Sequence, residues 1–137
     1  MLNNIMFIDN SPLNNQLTET LNKKNQLFET ANFFINPIEA LEFLVQNHNH
    51  INELPEAIVA DANFQEIGFI EFSRTLNSII PILAKKPILY IKNFALSQNE
   101  RDVLNEFEFV KGYFNKTISL NELMEISQKD NRFSSAV

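Results

Sequence analysis

Cysteine and tryptophan are absent from this 137-residue chain, glycine occurs twice, and eleven lysines and arginines face seventeen aspartates and glutamates. Each shortage removes a class of function. Without cysteine there is no disulfide scaffold and no thiolate chemistry, and the composition suits a reducing cytoplasm. With Gly68 and Gly112 as the sole glycines, neither a P-loop nor a dinucleotide fingerprint can be written. A formal net charge of −6 argues against a general nucleic-acid surface, although a small local basic patch is compatible with it. No apolar run approaches the roughly 18 residues that span a bilayer. The opening "MLNNIMFIDN" lacks the basic region of a secretory leader and passes straight into strand-like sequence. The expectation is a cytoplasmic chain directed neither to membrane nor to nucleic acid.

What is present is core. Hydrophobic residues make up 45% of the chain and thirteen are phenylalanine, enough for one well-packed domain. Five short apolar runs read as strands: Asn4–Ile8, Gln26–Ala31, Ala57–Ala60, Pro87–Ile91 and Phe109–Phe114. Each is brief and mostly apolar on both faces, as in a parallel sheet covered by helices. Five helical patterns alternate with them. Ser11-Pro12 offers an N-cap with proline at N1, followed by Leu13, Leu17 and Leu21 at helical spacing. Asn36-Pro37 repeats the device, with Glu39 at N3 and Ile38, Leu41 and Leu44 on one face. The segment 69–79 carries Phe69, Phe72, Leu76 and Ile79. Ser97 with Glu100, and Ser119 with Glu122, are capping boxes that open the last two helices. The final helix uses Leu120, Leu123 and Ile126. Strict alternation predicts an α/β doubly wound fold of about 125 residues, a domain over 1–128 and a tail over 129–137.

In such folds ligands gather beyond the carboxyl ends of the strands. Asp9 and Asp61 fall there, with Lys92 after the fourth strand and Lys116 after the fifth. A carboxylate at the mouth of a buried strand is costly unless something uses or neutralises it. Taken singly, each residue has a plainer reading: Asp61 as an N-cap for the next helix, Lys92 as a solvated loop lysine, Tyr113 as packing at a strand end. His48 and His50 form an H-x-H pair, but their Asn-rich loop has no third ligand nearby, so they read as solvated. Lys85-Lys86 reads as a loop charge pair.

Residues 3–128 as a whole resemble the receiver domain of bacterial two-component response regulators. "IMFIDNSPLNNQL" is similar to that family's first strand, acidic pair and first helix. "AIVADANFQEIGFIEF" resembles the strand ending on the phosphoacceptor aspartate, and "KKPILYIK" and "GYFNKT" are similar to the fourth and fifth strands. The resemblance implies a flavodoxin-like, five-stranded parallel sheet of order 2-1-3-4-5 with helices on both faces. It implies a response-regulator role in phosphorelay signal transduction, without catalysis beyond assisting the domain's own phosphorylation and dephosphorylation. Asp61 would accept a phosphoryl group from a histidine kinase or phosphotransfer protein. Asp9, Asp61 and the backbone carbonyl of Asn63 would hold magnesium, Lys116 would pair with the acids and then the phosphoryl oxygens, and Tyr113 would report activation. A downstream signalling protein would use the face of fourth helix, fifth strand and fifth helix, whose acidic fourth helix suits a reversible contact and a monomer or weak dimer.

The departures carry as much information. Asn10 stands where the family has a second acid, Lys92 where it has a hydroxyl, and Asn93 where it has a small residue. Phe64-Gln65 replaces Met-Pro, Phe69 aligns with a loop glycine (Gly68 lies one place earlier), and Thr117 replaces a proline. An intact pocket of three carboxylates and one lysine sums to about −2, which a divalent cation neutralises. Here Asp9 and Asp61 face Lys92 and Lys116, and the formal sum is zero without metal. Pointing inward, the Lys92 ammonium would take the cation's place and pair with Asp61. Magnesium binding and phosphorylation are therefore expected to be weak or lost. The alternative is a pseudo-receiver, a docking module that takes no phosphate. An aspartyl-phosphate hydrolase would need a second acid two residues after Asp9, which Ser11 is not. A flavin binder would need a better phosphate loop than "DNSPLNN".

Overall fold

Successive residues of a strand face opposite sides of a sheet, and in the first strand, β1 (Asn4–Ile8), this feeds two separate cores. Met6 and Ile8 enter one, Ile5 and Phe7 the other. The computed structural model describes residues 3–92, 96–114 and 118–128. After β1 come α1 (Pro12–Asn25), β2 (Thr30–Phe34), α2 (Pro37–Gln46), β3 (Ala57–Asp61) and α3 (Phe69–Ile79). A 3-10 turn (Ile80–Ile82), β4 (Ile88–Lys92), α4 (Gln98–Asn105), β5 (Val110–Phe114) and α5 (Leu120–Gln128) complete the described chain. All strand pairs are parallel, in the order β2-β1-β3-β4-β5, as the resemblance implies. Leu41 and Leu44 of α2, Phe72 and Leu76 of α3 and Leu104 of α4 cover one face. Leu21 of α1 and Leu123 and Ile126 of α5 cover the other. Among the described residues no helix is long and apolar enough to cross a membrane.

The caps read from sequence form as hydrogen bonds. Ser11 Oγ accepts from Asn14 N at 3.1 Å and Asn36 Oδ1 from Ile38 N at 2.8 Å. Both capping boxes close reciprocally, Ser97 with Glu100 and Ser119 with Glu122. The α3 helix starts instead at Gly68 without a side-chain cap, so Asp61 is not its N-cap.

Three expectations need correction. The second strand runs Thr30–Phe34, not Gln26–Ala31. Gln26 ends α1 in the left-handed region (φ 51°), and Leu27 and Phe28, which look like strand, are plugs buried beneath the sheet. The α1 helix does not bury its leucine row: Leu13 and Leu17 are 62% and 55% exposed, while Asn15 and Asn22 are buried. Four-residue spacing drifts about 40° per step around a helix, so only Leu21 swings round to the core. The rotation of α1 is set by hydrogen bonds instead, Asn15 Nδ2 donating to the carbonyls of Asp9 and Phe34 and Asn22 Oδ1 accepting from Phe28 N. Lastly, Ile38 lies off the buried face of α2, 43% exposed. Strand ends also shift slightly: β3 and β4 extend to Asp61 and Lys92, and β4 and β5 begin at Ile88 and Val110.

A non-glycine residue in the left-handed region is strained by roughly 1 kcal/mol. Gln26→Gly is therefore expected to stabilise the fold by up to about 1 kcal/mol in urea unfolding. An unchanged or lower midpoint would show that the Gln26 side chain compensates the strain.

Candidate functional site

The carboxyl edge of the sheet is assembled by register. Ile8 pairs with Ala60 across β1 and β3, which sets Asp9 next to Asp61, and Asp61 pairs directly with Lys92 across β3 and β4. All three side chains are buried, the residues being 4%, 8% and 6% exposed for Asp9, Asp61 and Lys92. The lysine does not lie in solvent. Its Nζ reaches across β3 and forms an ion pair of 2.5 Å with Asp9 Oδ2. The expected pairing with Asp61 is thereby corrected: the amine settles on the acid one strand further away. A four-carbon stem makes this reach possible.

Asp9 is saturated. Its Oδ1 accepts from Ser11 N at 2.9 Å, and its Oδ2 accepts from Asn14 Nδ2 at 3.2 Å in addition to the lysine. Asp61 Oδ1 accepts from Asn63 N at 2.8 Å, an Asx-type turn that orients the loop after β3. Asn10, expected in the acidic pocket, serves two loops. Its Nδ2 donates to the carbonyl of Ile35 at 2.6 Å and to Glu66 Oε1 at 3.0 Å, and its Oδ1 accepts from Gln65 N at 3.0 Å. The amide thus clasps the β2–α2 loop to the β3–α3 loop, a job that requires both a donor and an acceptor.

Tyr113, near the end of β5, is turned to α4. Its hydroxyl donates to Asn105 Oδ1 at 2.7 Å and the Arg101 guanidinium stands 5.1 Å from its ring centroid. Burial pushes the phenol above its ordinary pKa, and the nearby Arg101 charge opposes part of that shift. Asn93, Lys116 and Thr117 lie outside the described residues, as does the tail over 129–137. Gly68 fills no tight corner, since a Cβ there would meet nothing within 4 Å.

The lysine pair 85–86 does more than carry charge. Lys85 Nζ donates to the carbonyl of Leu54, and Lys86 Nζ to those of Ile80 and Leu83 at the ends of the neighbouring turns. His48 and His50 are exposed, their Nδ1 atoms set against Val45 O and Asn47 Oδ1. Among the described residues no three His, Cys, Asp or Glu side chains are grouped to hold a metal ion. Sequence reading missed Asn14, Asn15, Gln65 and Glu66. Nothing in local pattern marks them, because each acts on a residue brought close by the fold.

Magnesium demands hard oxygen donors in near-octahedral array and repels a neighbouring ammonium. The donor set does not fit it: one carboxylate is neutralised by Lys92 and the candidate oxygen of Asn10 is spent on Gln65.

No family model matches the chain, and no curated protein matches its sequence. Solved structures do match its fold. A two-component response regulator from Cytophaga hutchinsonii superposes with a TM-score of 0.73 at 16% identity, over 94% of this chain and 98% of its own. A response regulator receiver domain protein from Methanospirillum hungatei JF-1 gives 0.75 at 14% identity with both chains fully covered. A response regulator from Burkholderia pseudomallei, solved with a phosphorylated aspartic acid, a calcium ion and citrate, gives 0.65 at 14% identity over 98% of this chain and 71% of its own. The likeness is one of fold, and it extends over the whole alternation of strands and helices.

Proposed function

We propose that this chain, which has the receiver fold, is a signalling module that works by docking to other proteins, with its acidic pocket held closed by Lys92. The ion pair between Lys92 and Asp9 carries this reading. A cation built into the chain neutralises the pocket in place of a soluble one, and no release or capture of metal is needed to keep the fold satisfied. Switching also weakens. A ligand shifts an equilibrium only by its differential interaction with the two states, and a lysine already engaged in the resting state has less to gain from a phosphoryl group. The partners implied are a histidine kinase or phosphotransfer protein and a downstream signalling protein in a cytoplasmic pathway.

A second reading keeps Asp61 as a slow phosphoacceptor. It is favoured by the position of Asp61 at the end of β3, where its Oδ1 is held by Asn63 N and Lys92 is its register partner. A neighbouring structure carries a phosphorylated aspartate together with calcium.

Amide NMR separates the two readings. Magnesium and then beryllofluoride, a phosphoryl mimic, are added at millimolar concentration. The closed pocket predicts a flat response in the natural chain and shifts around Asp9 and Asp61 in the Lys92→Thr, Asn10→Asp variant. Shifts in the natural chain that spread to Tyr113 would establish a working phosphoacceptor instead.

A further inference from the structure

On the face away from α1 and α5, a groove of about 440 Å³ runs between α2 and α3. Ile38, Leu41 and Val45 line it from α2, Ile67 and Ile79 from the α3 side, and Glu42 stands at its rim. The fold does not need this surface to be apolar. The α2 helix is anchored to the sheet through Ala40, Leu41 and Leu44, which are buried, whereas Ile38 and Val45 are each 43% exposed. Seven residues apart, these two stack on one side of the helix about 10 Å along its axis, two turns of a partner helix. Ile51 and Ile82 are exposed too, in the segments that follow α2 and α3, which are joined by Ala84 N donating to the His48 carbonyl. A cluster of exposed branched side chains over one concavity marks an interaction surface.

Charge narrows the occupant. The α2 and α3 helices carry Glu39, Glu42 and Glu71 against the single cation Arg74. A second copy would bring the same glutamates to the same apolar strip, and the chain as a whole has a net charge of −6. Complementarity therefore selects a cationic partner, and a groove bounded by two helices takes a helix with apolar anchors at i, i+3 or i+4, and i+7. The geometry points to the α2–α3 groove as the docking site for a basic amphipathic helix of a partner protein. The site is separate from the pocket at Asp9 and Asp61, with which it shares no lining residue.

The test uses the full chain and a synthetic helical peptide of about fourteen residues, four turns, with leucines at i, i+4 and i+7 and lysines elsewhere. Saturable amide shifts are expected at Ile38, Glu42, Val45, Ile67 and Ile79. Affinity should fall at least about tenfold in Ile38→Gln with Val45→Gln, and equally in Glu42→Lys with Glu71→Lys, and it should be unchanged in Lys24→Gln, an exposed change on α1 across the sheet. Each altered side chain is partly or fully solvent-facing, and an unchanged unfolding midpoint confirms that the fold survives. A counterpart peptide with glutamates for lysines should not bind. The proposal is overturned if shifts spread over α4 and α5 without saturation, or if neither double variant weakens binding. Groove amides that shift with protein concentration alone would make a second copy the occupant. Groove shifts on Lys129→Glu with Arg132→Glu would make it the chain's own C-terminal segment. Either result also overturns the proposal.

Discussion

Lys92→Met should lower the unfolding free energy by about 3 kcal/mol, the low end of the range for stripping one partner from a buried ion pair. The side chains of Lys92 and Asp9 are 8% and 6% exposed, so the carboxylate left behind cannot recover its hydration without opening the pocket. The loss does not reach the top of the range because Asp9 keeps two donors, Ser11 N and Asn14 Nδ2. Against a typical total of about 5–15 kcal/mol this is a large fraction, and urea unfolding will show it. Adding Asp9→Asn should restore most of the loss, since a neutral amide beside methionine leaves no buried charge. Millimolar magnesium should raise the midpoint of Lys92→Met and leave that of the natural chain unmoved, because a ligand stabilises only a state that binds it. A loss below about 1 kcal/mol, the scale of exposed pairs, would mean that the ion pair is solvated and the pocket open.

Asn10→Asp is expected to be the second most damaging single change at the site, at about 2 kcal/mol. The substitution introduces a second acid beside Asp9, yet it removes the donor to the Ile35 carbonyl and to Glu66. It also places a carboxylate where the amide lies 3.0 Å from that of Glu66. Like charges about 4 Å apart repel by roughly 1 kcal/mol in water and 4 kcal/mol at an effective dielectric of 20; partial exposure and salt put this site between those limits. Unfolding measured with Glu66→Gln in the same chain should recover the repulsive part and leave the lost hydrogen bonds. Raising the salt should shrink the loss in the single variant only. If Asn10→Asp proves neutral at low salt, the clasp between the two loops contributes nothing, and introducing the acid carries no structural penalty.

Such substitutions would give the pocket the residues that the receiver resemblance implies, at the expense of contacts that hold this particular chain together. That tension explains how the departures at positions 10 and 92 belong together. Once an ammonium sits on Asp9, a second acid beside it has no cation to serve, and an amide at position 10 is better used between the loops.

The succession of strands and helices, the proline-started first turns, the capping boxes and the arrival of Asp9, Asp61 and Lys92 at one edge of the sheet were all legible in the chain itself. These features depend on residues within a few positions of one another, where caps, strand alternation and breakers act. The start of β2, the rotation of α1, the choice of Asp9 over Asp61 by Lys92, the clasp made by Asn10 and the apolar groove beside α2 were not. Leu27-Phe28 has the composition of a strand, and only the left-handed turn at Gln26 turns it into a plug. The leucines of α1 have helical spacing, but buried amides at Asn15 and Asn22 outweigh them because an unsatisfied polar group costs more than an exposed leucine. Lys92 and Asp9 lie on strands separated by β3, and a flexible stem selects its partner by distance through space. Local chemistry thus determined which elements form and which edge carries the charges; tertiary packing decided which charges meet, because that depends on separations no stretch of sequence contains.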